Sequence, residues 1–521
     1  MPAWWRGAVI YQVWPRSFQD SDGDGIGDLR GIAQRLDHLV GLGVDAIWIS
    51  PFYPSPLADF GYDVADHCDV DPSFGTLADF DALVAAAHAR GLRVLLDFVA
   101  NHTADTHPWF AASRSARDDP RRDWYVWRDP AANGGPPNNW LSEFGGSAWT
   151  LDTPTGQYFY HAYLPQQPDL NWRNPAVQDA MLDVLRFWLD RGADGFRVDA
   201  IHHLFEDAEL RDNPPNPDWR PGMSPARRVL RARTMDQPEV QSAITAMRRV
   251  TDAYADQRLL IGEAYLPIDR LMAYYGTDLS GFHLPFNFHL ITTPWTADAI
   301  ADLVRRYEAA LPPGAWPNWV LGNHDRSRVA SRIGKAQVRV AAMLLLTLRG
   351  TPTLYQGEEL GLTDVPIPPA LVRDPWEKRV PGLGLGRDPV RTPMPWDDAP
   401  QAGFTTGTPW LPLGADHAAR NAAVQAHDPD SMLSLTRALL GLRRREAALA
   451  LGAIEAVAAE GDVLRYVRVD PGDGRRLLVA LNFGEADQVL DATGTPLLST
   501  YGDFGNPRRL RPHEGLVIGP G

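Results

Sequence analysis

Short apolar runs of the kind that form buried β-strands alternate with helical patterns along most of this chain. Six of these runs are VDAIWIS (44–50), LRVLLDFV (92–99), GFRVDA (195–200), RLLIGEAY (258–265), NWVLGNHD (318–325) and PTLYQGEE (352–359). Several of the segments between them have helical periodicity, for example AVQDAMLDVLRFWLDRG. Such alternation is typical of a parallel sheet covered by helices. With IYQVW as the first strand and HLPFNF as the sixth, eight strands are counted, which predicts an α/β fold built as a (β/α)8 TIM barrel.

One interval in this pattern is too long for a barrel of uniform units. Eight units occupy about 250 residues, or roughly 30 residues each, yet Asp97 and Asp199 end apparently consecutive strands 102 residues apart. The excess follows the third strand and is rich in Trp, Pro, Gly, Asn and Asp. We therefore expect a subdomain, residues 101–170, inserted at the C-terminal face of a barrel that takes residues 1–100 and 171–450.

The pattern changes again near Leu451. VLRYVRV, RRLLVALNF and GLVIG are short strand-like runs separated by turn signals such as DPGDG and GEAD. They predict a C-terminal antiparallel β domain, a small β-sandwich, over residues 451–521. The stretch 364–430 is rich in Pro, Gly and Asp, and we expect it to form ordered loops around the functional site rather than a linker.

Charge and cysteine content restrict the partners and the compartment. The formal net charge of −15 repels phosphate backbones and anionic lipids, so binding to nucleic acid or to a membrane surface is not expected. Cys68 is the single cysteine, so no internal disulfide can form, which fits a reducing compartment. The N-terminus lacks the pattern of a signal peptide, and the longest apolar runs are too short to span a bilayer. These features predict a soluble, cytoplasmic protein.

Three predicted strands end at or near an acid: GFRVDA at Asp199, RLLIGEAY at Glu263 and NWVLGNHD at Asp325. Active sites of this barrel are built at the C-terminal ends of its strands, and a carboxylate that follows a buried strand is costly unless it is paired or used. Converging carboxylates suit glycoside transfer, in which one attacks the anomeric carbon and a protonated one assists the leaving oxygen. A hydrolytic metal cluster is the rival interpretation, but no HExxH-like histidine spacing accompanies the acids.

Four short motifs, DFVANH (97–102), GFRVDA (195–200), GEAY (262–265) and GNHD (322–325), resemble the signature regions of the α-amylase family of glycoside hydrolases, in the right order. Over nearly the whole chain the sequence is similar to the bacterial α-glucosidases of that family. The resemblance implies a retaining mechanism in which Asp199 forms a covalent β-glucosyl ester and Glu263 is first the general acid and then the base. It also implies that Asp325 holds sugar hydroxyls and helps to distort the ring.

Six further positions match substrate-binding residues of that family: Asp59, Tyr62, His102, Arg197, His324 and Arg391. The two histidines would hydrogen-bond the sugar in the subsite where the bond is cleaved, and Arg197 would keep the nucleophile ionised. Asp59 and Tyr62 would cap and stack on the non-reducing glucose, and Arg391 would pair with Asp59 to close the pocket. A closed pocket implies exo action on short substrates rather than internal cleavage of starch.

The residue after the predicted nucleophile, Ala200, bears on the substrate. In relatives a small residue here accompanies α-1,4 bonds and valine accompanies α-1,6 bonds, so the resemblance implies maltose-like disaccharides or aryl and alkyl α-glucosides. The segment HHLFEDAELRDNPPNPDWRPGMSP resembles α-glucosidases that transfer glucosyl units well, which adds sugar or alcohol acceptors to the expected partners.

Two alternatives belong to other activities. One is a glucosyl isomerase or transferase of the same family, such as a trehalose or isomaltulose synthase. The other is a catalytically inactive partner of a membrane transporter, which the three retained acids and the lack of a membrane-spanning run argue against.

The loop DSDGDGIGDL, residues 20–29, resembles the loop of a calcium sensor only in part. Its oxygen donors at ligand spacing are the side chains of Asp20, Asp22, Asp24 and Asp28 and the carbonyl of Ile26. Position 12 is Gly31 instead of a bidentate glutamate, and a strand and one helix flank the loop instead of a helix pair. Relatives hold a structural divalent ion in the matching loop. We therefore expect Ca²⁺ or Mg²⁺ there, and no redox or organic cofactor.

Overall fold

An eight-stranded parallel sheet forms the centre of the protein in the computed structural model, which describes residues 3–506 and 508–520. Its strands, in chain order, are β1 (Ile10–Val13), β2 (Ala46–Ile49), β3 (Arg93–Phe98), β7 (Gly195–Val198), β8 (Leu259–Gly262), β9 (Leu284–Pro285), β10 (Asn318–Val320) and β11 (Thr351–Tyr355). Between β3 and β7, the chain forms the strands of an inserted sheet, β4 (Trp127–Arg128), β5 (Trp149–Asp152) and β6 (Gln157–Tyr160). The central order is β10-β11-β1-β2-β3-β7-β8-β9. The predicted (β/α)8 barrel is confirmed.

Burial on both faces explains why these strands read as continuous apolar runs. Every residue of β1, β2, β7 and β8 is buried. Side chains that point into the barrel, among them Ile10, Trp48, Leu95 and Ile261, form one cluster. Their neighbours along each strand point outward to the helices, so the interior is a packed core and not a channel.

The helices cover the outer faces of the sheet and fill its connections. They are α1 (Trp4–Gly7), α2 (Leu29–Gln34), α3 (Leu36–Leu42), α4 (Leu77–Ala89), α5 (Pro108–Ser115), α6 (Pro175–Asp190), α7 (Val240–Asp252), α8 (Ile268–Met272), α9 (His289–Thr292), α10 (Ala297–Ala310), α11 (Val329–Ile333), α12 (Val338–Thr347), α13 (Pro375–Arg379), α14 (Ala422–Ala426), α15 (Met432–Arg445) and α16 (Ala447–Ala450). In the part of the chain that is described, none of them has the length and apolarity needed to cross a membrane.

Helix α6, which leads into β7, shows how local sequence sets these elements. Asn174 caps its first turn by accepting a hydrogen bond from the N–H of Ala176, and Pro175 occupies the first helical position. Val177, Met181, Val184, Leu185, Trp188 and Leu189 are buried at the spacing of one helical face. The helix therefore delivers the chain to β7 from a fixed direction.

Outside the barrel, the described residues form one antiparallel sheet after β3 and antiparallel pairing near the C-terminus, as expected. The first, in the order β4-β6-β5, follows β3 and falls within the residues assigned to the inserted subdomain. The second joins β12 (Ala453–Glu460), β13 (Val463–Val469), β14 (Arg476–Asn482), β16 (Thr495–Ser499) and β18 (Gly515–Gly519), and β15 (Gln488–Val489) pairs with β17 (Arg509–Leu510). The boundaries 101–170 and 451–521 stay our proposal for where these units begin and end.

Candidate active site

The three predicted acids lie at the C-terminal rim of the barrel. Asp199 follows directly on β7 and Glu263 directly on β8. Asp325 lies further along its chain segment, because β10 ends at Val320 and LGNHD continues as a loop. All three side chains line one cavity of about 550 Å³. The structure thus brings together acids that come from three separate strands.

Arg197, on β7, is the buried cation around which the acids are arranged. Its Nη1 lies 2.6 Å from Asp97 Oδ1 and 2.7 Å from Asp199 Oδ1, and its Nη2 lies 2.7 Å from Glu263 Oε1. Asp97 and Arg197 are direct neighbours in the register of β3 and β7. Asp97 was not among the predicted site residues, although an acid directly after the apolar run VLL of a predicted strand was the signal that could have found it.

The charges at this junction shift one another's pKa. Burial alone would lower the pKa of Arg197, but Asp97 and Glu263 raise it well above its usual value, so the guanidinium stays charged. Burial also raises the pKa of Asp199 well above its usual range; Arg197 opposes this shift, whereas the neighbouring carboxylates add to it. Once ionised, Asp199 is therefore a stronger base than an exposed aspartate.

Ala200 has an unusual backbone directly after Asp199. Its φ of 45° and ψ of 33° place it in the left-handed region, which costs a residue with a Cβ roughly 1–2 kcal/mol. In this conformation its N–H donates to Glu263 Oε2 at 3.1 Å. The N–H of Asp199 donates to the carbonyl of Phe98 at 2.9 Å. The turn therefore fixes Asp199 and Glu263 relative to each other through the main chain.

Asp325 lies between two arginines. Its Oδ1 is 2.7 Å from Arg391 Nη2 and 3.4 Å from Arg387 Nη1. Burial alone would raise the pKa of Asp325, but the charges of Arg387 and Arg391 hold it well below its usual range. Asp325 is therefore a permanent anion in the cavity wall, suited to accept hydrogen bonds from hydroxyl groups.

The predicted pairing of Arg391 with Asp59 is wrong. Arg387 makes that contact, with its Nη2 2.6 Å from Asp59 Oδ1, and its Nε lies 2.8 Å from Asp374 Oδ2. Arg391 is fully buried, lies 4.4 Å above the ring of Trp14 and donates to the carbonyl of His324. The motif GRDPVR contains both arginines, separated by a short turn, Asp388–Val390. Arg391, after the turn, contacts Asp325, and Arg387, before it, contacts Asp59.

Tyr62, His102 and His324 form an aromatic wall beside these charges. The Tyr62 hydroxyl lies 2.8 Å from His324 Nε2, and the two rings stack at 5.4 Å. His102 Nε2 lies 3.0 Å from the carbonyl of Tyr62. Burial lowers the pKa of His102 to about 3 and that of His324 well below its usual value. Both imidazoles are therefore neutral near pH 7 and exchange hydrogen bonds with hydroxyls without adding charge.

Sequence reasoning missed other residues of the cavity wall. They include Glu143, Tyr163, Gln167, His203, Arg231 and Trp376. Gln167 Nε2 lies 3.0 Å from His102 Nε2 and 3.4 Å from Asp59 Oδ2. No catalytic motif marks these residues, because they come from the insertion after β3 and from the long loops after β7 and β11; His203 alone lies in a segment noted above, HHLFEDAELRDNPPNPDWRPGMSP. The unusual length of those loops was the available signal.

The acidic loop of residues 20–28 lies outside this cavity. Carboxylate oxygens of Asp20, Asp22 and Asp28 come within 4.8 Å of one another. Burial alone would raise the pKa of Asp20, but hydrogen bonds from Thr405 and from main-chain N–H groups lower it, so an ionised ligand is available. This donor set fits a hard divalent cation.

Asp24 is not brought into that group. Its Oδ1 accepts a hydrogen bond of 2.7 Å from the N–H of Ile26, which closes a turn within the loop. Three of the four predicted aspartates therefore converge, and Asp24 serves the shape of the loop instead.

Comparison with known proteins extends this picture. Residues 12–452 match the family described as Alpha amylase, catalytic domain. The chain is 45% identical over 480 residues to a probable α-glucosidase of Rhizobium meliloti (strain 1021), which covers 89% of this chain and 87% of that protein. Its fold is similar to the crystal structure of XgtA, an α-glucosyl transfer enzyme, with 43% identity, a TM-score of 0.94 and 100% of both chains covered. It is also similar to the trehalulose synthase MutB from Pseudomonas mesoacidophila MX-45, with 33% identity, a TM-score of 0.90 and 100% of both chains covered.

Proposed function

The chain belongs to the α-amylase family, and from this premise we propose that it is a retaining, exo-acting α-glucosidase of short α-glucosides. The observation that carries the proposal is the position of Asp199 and Glu263 on the two terminal nitrogens of one buried guanidinium. Retaining glycosidases keep their two carboxyl groups about 5–5.5 Å apart, whereas inverting enzymes leave about 6.5–9.5 Å for a water molecule. The shared guanidinium keeps the two carboxyl groups near each other, which supports retention.

In the proposed reaction, Asp199 attacks the anomeric carbon while the bond to the leaving oxygen breaks, and Glu263 gives its proton to that oxygen. The products are a β-glucosyl ester on Asp199 and a free sugar or alcohol. Glu263, now ionised, takes a proton from water or from an acceptor hydroxyl, whose oxygen attacks the ester and releases Asp199. Arg197 contacts both carboxyl groups at 2.7 Å and stabilises the one that is ionised, Asp199 before the attack and Glu263 after it has given up its proton.

The charged cluster of Asp59, Arg387 and Asp325 supports exo action. Arg387 bridges the two carboxylates at 2.6 and 3.4 Å, so the cavity is walled by fixed charge on this side. Such a wall binds the hydroxyls of one terminal glucose and leaves no exit for a chain that continues beyond it. The non-reducing glucosyl unit is therefore the part that we place here.

The small side chain of Ala200 supports a preference for α-1,4 bonds, as in maltose or in aryl and alkyl α-glucosides. The similarity to the α-glucosyl transfer enzyme XgtA supports transfer of the glucosyl unit to sugar or alcohol acceptors beside hydrolysis. A structural Ca²⁺ or Mg²⁺ at Asp20, Asp22 and Asp28 would fix the loop after β1, outside the catalytic cavity.

The decisive test is the variant Asp199→Ala with p-nitrophenyl α-glucoside. Loss of the nucleophile should lower kcat/KM by at least about a thousandfold, or about 4 kcal/mol, while the melting temperature is kept. Added azide should then restore cleavage and yield β-glucosyl azide, because a small anion can attack from the face that Asp199 occupied. Full activity of the variant, or formation of the α-azide, would contradict the assignment.

The similarity to a trehalulose synthase favours one second candidate, a glucosyl isomerase. Chromatography of the products from maltose and from sucrose separates the two activities. An α-glucosidase releases glucose first, whereas an isomerase accumulates a disaccharide of new linkage before free glucose appears.

A further inference from the structure

The long segment after β7 contains a hairpin, residues 214–230, that lines the active-site cavity. Its arms are joined by an antiparallel bridge between Pro215 and Val229. Met223 and Arg227, near its tip, belong to the cavity wall. Within the ranges 3–506 and 508–520, no hydrogen bond or ion pair joins residues 214–230 to any residue outside 214–232. The hairpin therefore depends on its base for its position over the cavity.

The base of the hairpin is tied to the body of the protein on both sides. On one side, Asn139 and Asn213 exchange two hydrogen bonds of 2.8 and 2.9 Å. On the other side, the carbonyl of Thr234 lies 3.1 Å from His203 Nδ1. Immediately after the hairpin, Arg231 forms an ion pair with Glu143 of the inserted segment. Arg231 directly follows the hairpin in the chain, and both members of the pair line the cavity.

The chain segment that leads into the hairpin contacts Glu263. The N–H of Ala200 donates to Glu263 Oε2, and two residues further along the chain the carbonyl of His202 accepts a hydrogen bond from the N–H of Asp236. Glu143 Oε1 lies 3.7 Å from His203 Nε2. Glu263 is the group that protonates the leaving oxygen in the proposed function, so the hairpin covers the leaving-group and acceptor side.

We propose that the Glu143–Arg231 ion pair is a specificity-determining contact that holds this hairpin over the leaving-group side and restricts that side to one sugar unit or a small alcohol. The inference rests on the proposed function and adds to it the residues that limit the length of the leaving group. The side chains of Glu143 and Arg231 are 16% and 27% exposed, so water screens the pair and the hairpin can open when the pair breaks. Bulky leaving groups and acceptors enter only in the opened form.

The test compares kcat/KM for maltopentaose with kcat/KM for maltose in the wild type and in two neutral variants, Glu143→Gln and Arg231→Gln. Each variant should raise the ratio at least about fivefold, because it shifts the population towards the open hairpin. The double charge reversal, Glu143→Arg with Arg231→Glu, should return the ratio towards the wild-type value. The matched control is Arg220→Gln on the same hairpin, since in the described part of the chain the Arg220 guanidinium donates only to the carbonyls of Pro217 and Trp219, and its loss should not move the ratio.

Hydrogen–deuterium exchange supplies a readout that does not depend on activity. Amides of residues 214–230 should exchange faster in Glu143→Gln than in the wild type, whereas those of Arg220→Gln should not. If a variant fails to fold, the wild-type ratio measured at low and at high salt replaces it, because salt screens a partly exposed pair and should raise the ratio. An unchanged ratio together with unchanged exchange overturns the proposal, whereas a wild type that releases no glucose from any α-glucoside overturns the proposed function instead.

Discussion

The two arginines that bound the cavity, Arg387 and Arg231, are held in opposite ways. Arg387 is 7% exposed at its side chain and contacts three carboxylates, those of Asp59, Asp374 and Asp325. Arg231 is 27% exposed and pairs with Glu143. A buried cation among several acids cannot move without leaving charge unpaired, whereas a partly exposed pair exchanges its partner for water at little cost. On the proposed function, the side of the cavity that we assign to the terminal glucose is therefore held more firmly than the side that we assign to the leaving group.

The strongest test of this contrast is to remove each cation in turn. Arg387→Met removes the cation from the buried carboxylates of Asp59 and Asp374, whereas Asp325 keeps Arg391. We therefore expect a loss of about 3–5 kcal/mol of unfolding free energy and a fall of at least about a hundredfold in kcat/KM for maltose. Arg231→Met should cost less than about 1 kcal/mol of stability. Chemical denaturation and steady-state kinetics measure both quantities. Equal losses in the two variants would remove the distinction between the two sides.

A second test substitutes Ala200, which follows Asp199 in the chain and donates its N–H to Glu263. In Ala200→Val, a β-branched residue enters the left-handed region, and we expect a loss of about 1 kcal/mol of stability. The bulk beside Glu263 should also lower the ratio of maltose to isomaltose hydrolysis by about tenfold, or about 1.4 kcal/mol. Ala200→Gly is the matched control, because glycine adopts positive φ without strain and keeps the position small. A valine variant with the wild-type ratio would show that this residue does not select the linkage.

The pH dependence of kcat/KM should follow the ionisation of the proposed nucleophile, Asp199. Asp199 must be ionised to attack, and its pKa is raised. A raised pKa means that the proton is bound at higher pH, so activity is present above this pKa and is lost as the pH falls through it. The acid limb of kcat/KM should therefore lie above the ordinary aspartate value of about 3.9, and at the same pH for maltose and for p-nitrophenyl α-glucoside. His102, with a pKa of about 3, stays neutral at the pH of that limb. Activity that persists unchanged down to pH 4 would contradict the shift.

The smallest effect on turnover is expected from removal of the cation proposed for the acidic loop of residues 20–28, because this loop lies outside the cavity. Chelation should lower the melting temperature, since a cation at a hundred times its Kd contributes about 2.7 kcal/mol, while turnover of the still-folded enzyme at 25 °C stays within about twofold. Asp22→Asn should abolish the thermal response and Asp24→Asn should keep it, because Asp24 lies outside the converging group. An immediate loss of activity without a change in melting temperature would make the ion catalytic.

Much of the fold could be predicted because its signals are local. The alternation of apolar strands and helices, and the excess length after Asp97, are visible in the order of residues alone. The acids Asp199 and Glu263 were predictable for the same reason, since each follows a strand whose end the barrel places at one rim.

The remainder depends on contacts between distant segments. Whether Arg387 or Arg391 reaches Asp59 depends on a turn within one motif and on the buried space above the ring of Trp14. The spacing of residues in the sequence predicts neither. Likewise, the pair Glu143–Arg231 joins two segments that lie 88 residues apart in the chain, and neither residue belongs to a helix or strand. Long loops carried the missed residues because their conformation is set by what they pack against.

The closure of the sheet through β1 and β11 has a consequence for synthesis. Ile10 is the register partner of Thr353, so one edge of the first strand stays without its final neighbour until most of the chain has been made. At 5–20 residues per second, that interval is roughly 20–70 seconds. An open edge strand is a template for pairing with other chains. We therefore expect the yield of folded protein to depend on how that edge is shielded on the ribosome as much as on the stability of the finished barrel.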